Sequence, residues 1–103
     1  MGYMKATEYA NQKIKLPDGS LVSVVIWLLP EPSDERPHGF KYRLNYCTAG
    51  GETLVRYDNE KGKGDHKHFA NGTEAPYKFQ DVDKLLDDFW HDVDEILEKN
   101  ENE

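Results

Sequence analysis

One cysteine, Cys47, stands in 103 residues. That excludes an intrachain disulfide and any cysteine-based zinc finger. Long apolar runs are missing too. The longest spans Leu21 to Leu29, is interrupted by Ser23, and is too short to cross a bilayer. The first residues, Met1 to Ala6, hold no signal-peptide apolar core. Gly2 lacks the Ser or Thr at position 6 that a myristoylation motif needs. These absences lead us to expect a cytoplasmic protein without a membrane partner. A surplus of positive charge is also absent. The net charge of −7 argues against non-specific, backbone-dominated binding to duplex DNA. No internal repeat, low-complexity tract or linker appears, so residues 1–103 read as a single domain with a modest core.

The charge that is present is unevenly placed. Residues 80–103 carry ten acids and two lysines, a net of −8, whereas residues 1–79 balance to +1. A near-neutral body therefore ends in an acidic segment, and a local basic site in the body is allowed.

Residues 9–29 pattern as a β-hairpin. Tyr9 to Leu16 is the first strand, and Leu16-Pro17-Asp18-Gly19 is a type I turn with Gly ready for the left-handed position. Leu21 to Leu29 is apolar on both faces, which predicts a strand central in a sheet. Residues 30–39 hold three prolines and form a loop, expected to be mobile. A second hairpin over residues 40–60 has a derivable register. A Gly50-Gly51 turn pairs Ala49 with Glu52, and then Tyr46 with Val55, Leu44 with Tyr57, Asn45 with Arg56, Arg43 with Asp58 and Lys41 with Glu60. Apolar residues meet apolar residues and opposite charges meet, so one face is core and the other a charged surface. Pro76 to Phe79 is a short extended piece. Asp81 caps a helix whose apolar stripe is Val82, Leu85, Leu86, Phe89, Trp90, Val93, Ile96 and Leu97. Its acids, among them Asp88 and Asp92, read as a solvated face. Residues of about 100–103 are expected to fray. The fold class is α+β: an antiparallel meander of at least four strands with a C-terminal amphipathic helix packed on one face.

Residues 56–68 are hardest to explain by packing. Four cations, three carboxylates and two histidines fall within thirteen residues. Gly62 and Gly64 interrupt regular structure there. His66 and His68, two apart, share a side if the chain is extended. They suit either acid–base chemistry near pH 7 or a metal pair. The metal reading lacks a third ligand at a diagnostic spacing, although Asp58 or Asp65 could join. The bland reading is of two exposed histidines in a polar loop. Arg43, Arg56, Lys61, Lys63 and Lys67 can hold phosphate oxygens, although Arg43–Asp58 and Lys41–Glu60 also read as surface ion pairs. No Walker A ending follows the glycines. Tyr77 can stack on a base or pack in the core. His38 and His91 read as solvated and Cys47 as structural.

Several segments together resemble the TumE-type toxins over nearly the whole chain. They are Ile26-Trp27 with Pro30, Lys41-Tyr42-Arg43-Leu44 with Tyr46, the run from Arg56 to His68, Pro76-Tyr77 with Phe79, and Leu85-Leu86 with Asp88-Phe89. The resemblance implies the toxin half of a type II toxin–antitoxin pair, a helix-turn-helix antitoxin partner and ribonuclease activity. Roles follow from residue chemistry. His66 and His68 act as base and acid in an unassigned order. Arg56, Lys61 and Lys63 stabilise phosphate charge, with Lys67 a further phosphate ligand. Arg43 and Asp58 position neighbours, and Tyr77 stacks. No cofactor or metal is expected. The competing readings are a non-catalytic module that binds nucleic acid or protein, and a metal-dependent nuclease.

Overall fold

The computed structural model describes residues 5–59 and 64–101. Six strands run in chain order: β1 (Thr7–Lys15), β2 (Leu21–Leu28), β3 (Phe40–Cys47), β4 (Thr53–Asp58), β5 (His66–Phe69) and β6 (Glu74–Pro76). Every strand pairs antiparallel with its sequence neighbour, so the sheet is an uninterrupted meander. One helix, α1 (Val82–Glu101), packs on one face against β4. The fold is α+β, with two more strands than the expected minimum. No helix among the described residues is long and apolar enough to cross a membrane.

The alternation of the strands builds the core. Val22, Val24 and Ile26 of β2, Tyr42, Leu44 and Tyr46 of β3, and Val55 and Tyr57 of β4 are buried on the helix side. Val82, Leu85, Phe89 and Val93 come down from the helix onto them. The helix starts as expected, with Asp81 Oδ1 accepting the Lys84 N–H at 2.7 Å. Phe89 meets the Tyr57 ring edge-on at 6.0 Å, a favoured arrangement for two aromatic rings.

Two expectations about the sheet need correction. β2 lies between β1 and β3, but only one of its faces is covered. Val25 and Trp27 are half-buried and Leu21 and Leu28 exposed, because a single helix can roof only one side. The β3–β4 register is as derived, with Arg43 opposite Asp58, Leu44 opposite Tyr57, Asn45 opposite Arg56 and Tyr46 opposite Val55. The turn that was to produce it is different. Thr48 N–H bonds to Glu52 O and Gly51 N–H to Thr48 O, so the loop is Ala49-Gly50-Gly51. A bulge then pairs Cys47 with Thr53 and restores the offset. The expected Ala49–Glu52 pair is lost and the strand pairs survive. Lys41 opposite Glu60 lies outside the described residues.

Three hairpins share this loop type. Pro17-Asp18-Gly19, Ala49-Gly50-Gly51 and Ala70-Asn71-Gly72 each close with the third residue's N–H on the carbonyl preceding the loop. The final glycine has φ near +90° in all three, which a side chain would strain. These tight turns lie at one end of the meander. At the other end His38 of the β2–β3 connection meets Asp65, just before β5, and that adjacency places the site.

Candidate functional site

β4 and β5 pair with Arg56 opposite His68, Tyr57 opposite Lys67 and Asp58 opposite His66. Tyr57 faces the helix, so by the two-residue period of a strand Arg56, Asp58, His66 and His68 share the uncovered face. Arg43 of β3 stands opposite Asp58 and Glu74 of β6 opposite His68, which extends the row across four strands. β5 exists although its sequence, His-Lys-His-Phe, has no apolar alternation. Lys67 takes the helix-facing position that an apolar residue would normally fill.

Asp58 is the centre. Its side chain is only 6% exposed. Arg56 Nε donates to its Oδ2 at 2.8 Å, and His66 Nε2 lies 3.0 Å from its Oδ1. His68 Nε2 points at the same carboxylate from 3.6 Å, beyond hydrogen-bond reach. That nitrogen is buried without a hydrogen-bond partner among the described residues. The outer nitrogens are held. His66 Nδ1 meets Gly64 O at 2.9 Å, and His68 Nδ1 faces Glu74 Oε2 at 3.3 Å. Gly64 O only accepts, so the His66 ring carries a proton on Nδ1, whereas His68 has a carboxylate near each of its ring nitrogens. Burial and the neighbouring Arg56 cation hold the His68 pKa below its usual value, so that ring is neutral near pH 7. Asp58, His66 and His68 thereby bring three possible ligand atoms within 4.8 Å of one another.

A second carboxylate–histidine group stands at the same end of the sheet. Asp65 Oδ2 accepts from the Tyr42 hydroxyl at 2.7 Å and from His38 Nε2 at 2.9 Å. His38 Nδ1 accepts the Phe40 N–H at 3.1 Å, and the ring stacks on Phe79 at 3.8 Å. Burial and the Asp65 bond push the Tyr42 phenol far above its usual pKa, so it stays a donor. Beside it, buried Asn59 accepts the Tyr42 N–H and donates to Phe40 O. It continues the ladder where β4 ends. His38 is therefore packed and bonded, not solvated as its Pro-rich loop suggested. Leu29, Ser33, Arg36 and Gly39 exchange backbone bonds within that loop.

The other expected site residues are dispersed. Lys67 faces the helix, where it pairs with Asp92 at 2.7 Å and lies over the Tyr57 ring. Tyr77 is also on that side and donates to Asp88 Oδ2 at 2.6 Å. Asp92 accepts from the Tyr57 hydroxyl as well. Asp88 and Asp92 are thus tied to the sheet, contrary to the solvated face expected for them. Lys61 and Lys63 lie outside the described residues. His66 and His68 are not exposed loop histidines: their side chains are 9% and 16% exposed. Glu74 and Asn59 were missed, and Asp65 was considered only as a possible metal ligand. The carboxylate of Glu74 could have been found only by knowing the β5–β6 register. On the uncovered face beside the cluster, Ser23, Val25, Trp27, Lys41 and Arg43 line a depression of about 180 Å³.

Compared with known families, residues 3–97 match the family described as Toxin TumE. No curated protein and no solved structure matches the chain.

Proposed function

The chain belongs to the TumE toxin family, and on that premise we propose that it is a cytoplasmic ribonuclease restrained by a helix-turn-helix antitoxin. Membership makes it a toxin of a toxin–antitoxin system and implies an antitoxin partner. The ribonuclease reading is supported by the division of labour in the sheet. The buried apolar core is on the helix side. The reactive groups stand on the other side, where the fold does not need them.

The observation that carries the reading is the convergence of two imidazole Nε2 atoms on one buried carboxylate, beside Arg56 and Arg43. RNA cleavage by its own 2′-OH needs an acceptor for the hydroxyl proton and cations at the phosphate. His68 Nε2, without a hydrogen-bond partner among the described residues and on a neutral ring, is the acceptor in this reading. Arg56, Arg43 and Lys41 supply the cations, with Lys61 and Lys63 as further phosphate ligands. With His68 as the base, His66, held against the Asp58 carboxylate through Nε2, is the acid that protonates the leaving 5′-oxygen. Trp27, opposite Lys41, offers a ring for base stacking on the same face, a role that Tyr77 is not placed to fill.

Expression without the antitoxin should arrest growth, and the purified chain should cleave single-stranded RNA. Asp58→Asn should abolish both while keeping its circular dichroism. A folded Asp58→Asn variant that stays toxic and cleaves RNA at the parent rate would overturn the reading.

A further inference from the structure

The proton count at Asp58 does not close. With Nδ1 of His66 donating to Gly64 O, its Nε2 presents a lone pair to a carboxylate oxygen 3.0 Å away. Two acceptors at that distance need a positive centre between them. One extra proton can serve that contact. It leaves His68 Nε2 as it stands, buried, without a partner among the described residues and aimed at the same carboxylate. His38 shows what a satisfied structural histidine looks like in this chain: one nitrogen accepts and the other faces a carboxylate.

We infer that Asp58, His66 and His68 form a binding site for a divalent first-row transition-metal ion. A single cation would satisfy all three groups at once. Metal–nitrogen and metal–oxygen bonds of about 2.0–2.2 Å place tetrahedral neighbours about 3.3–3.5 Å apart; His66 Nε2 lies 3.0 Å from Asp58 Oδ1 and His68 Nε2 3.6 Å from Oδ2, so the two imidazoles address the two oxygens of one carboxylate from near that distance. The outer contacts also fit. Metal-bound histidines hand their other N–H to a carbonyl or carboxylate, and ligating carboxylates are themselves hydrogen-bonded. Here Gly64 O, Glu74 and Arg56 Nε take those places. Two imidazoles and one carboxylate select zinc, manganese or a similar ion over magnesium or calcium, which prefer all-oxygen sites. The sequence expectation of metal-free chemistry rested on the want of a third ligand, and the β4–β5 register supplies it.

The catalytic consequence rests on the ribonuclease reading. Three protein ligands leave a position for water, whose pKa falls to about 7 on such an ion. With the ion bound, His68 Nε2 is a ligand, and the bound hydroxide, in place of that nitrogen, takes the 2′-OH proton and becomes water. The 2′-oxygen bonds to phosphorus as the bond to the 5′-oxygen breaks. The leaving oxygen takes the proton back, and the hydroxide is restored.

Calorimetric titration of the full chain, stripped with EDTA and dialysed, tests the site. ZnCl₂ or MnCl₂ should bind at one equivalent per chain, and MgCl₂ should give no comparable heat. His68→Ala and Asp58→Asn, checked for fold by circular dichroism, should each weaken binding more than tenfold. Glu74→Gln should weaken it by about 10–100-fold, as loss of an outer partner does. Absence of stoichiometric binding of either ion, or unchanged binding in folded His68→Ala, overturns the inference. RNA cleavage by a chain that binds no metal would leave the ribonuclease reading standing alone. Stoichiometric binding without RNA cleavage would leave the metal site standing alone.

Discussion

Two aspartates at the same end of one sheet are used in opposite ways. Asp65 gathers Tyr42 and His38, and His38 in turn accepts from Phe40. Asp58 gathers Arg56 and His66, with His68 out of reach at 3.6 Å. The chemistry of the groups is similar, yet in the first cluster every lone pair named has a proton to meet. In the second a buried imidazole nitrogen has none among the described residues. Leaving a buried polar atom without a partner costs about 1–3 kcal/mol. A fold that closes one cluster and leaves its neighbour open is using the first for stability. The second, on the function proposed, is left available to bind a ligand. The helix side gives the same lesson. Tyr57 and Lys67 meet Asp92, and Tyr77 and Lys84 meet Asp88, so polar groups there are tied off as they are around Asp65.

Mutations can break this contrast from either side. Phe89→Ala sets the upper end of the scale. The ring is fully buried in the core, and its loss should cost about 3–5 kcal/mol in urea unfolding, while whatever remains folded keeps the Asp58 cluster. Asp65→Ala comes next. It leaves the Tyr42 hydroxyl and His38 Nε2 without their acceptor and should cost about 1–3 kcal/mol. An unfolding midpoint equal to the parent's would show that the closed cluster is not structural. Asp92→Ala should fall in the lower half of that range, about 1–2 kcal/mol, since it strands Tyr57 and Lys67. A change near zero would return Asp92 to the solvated face that the helix pattern suggested.

The parts legible in the sequence were those held by local or pairwise rules. The helix stripe from Val82 to Leu97 and its Asp81 cap follow from spacing alone. The β3–β4 register followed from matching Leu44 with Tyr57 and Arg43 with Asp58. It held even though the turn was wrong, because the bulge after Tyr46 absorbed the extra loop residue. β5 was not legible as a strand. Its buried position is a histidine, and its Lys67 is neutralised by Asp92 across the core. Asp88 and Asp92 immediately precede Phe89 and Val93, on the border of the apolar stripe, where pattern cannot tell a solvated acid from a bonded one. The site was half legible. His66, His68, Arg56, Asp58 and Arg43 do share one face. Lys67 and Tyr77 do not, because a period of two sends neighbours in a strand to opposite sides. His38 and Asp65 come together only because the second and fourth connections of a meander emerge at the same end.

The central claim is that the open cluster serves chemistry and not stability. His68→Ala tests it most directly, with urea unfolding and RNA cleavage measured on the same preparation. Removing an imidazole whose Nε2 makes no hydrogen bond should shift stability by less than about 1 kcal/mol. Cleavage should fall by a factor of about 10² to 10⁴, the range of a lost proton-transfer group. A variant that unfolds several kcal/mol more easily, or one that cleaves RNA as fast as the parent, would contradict the account.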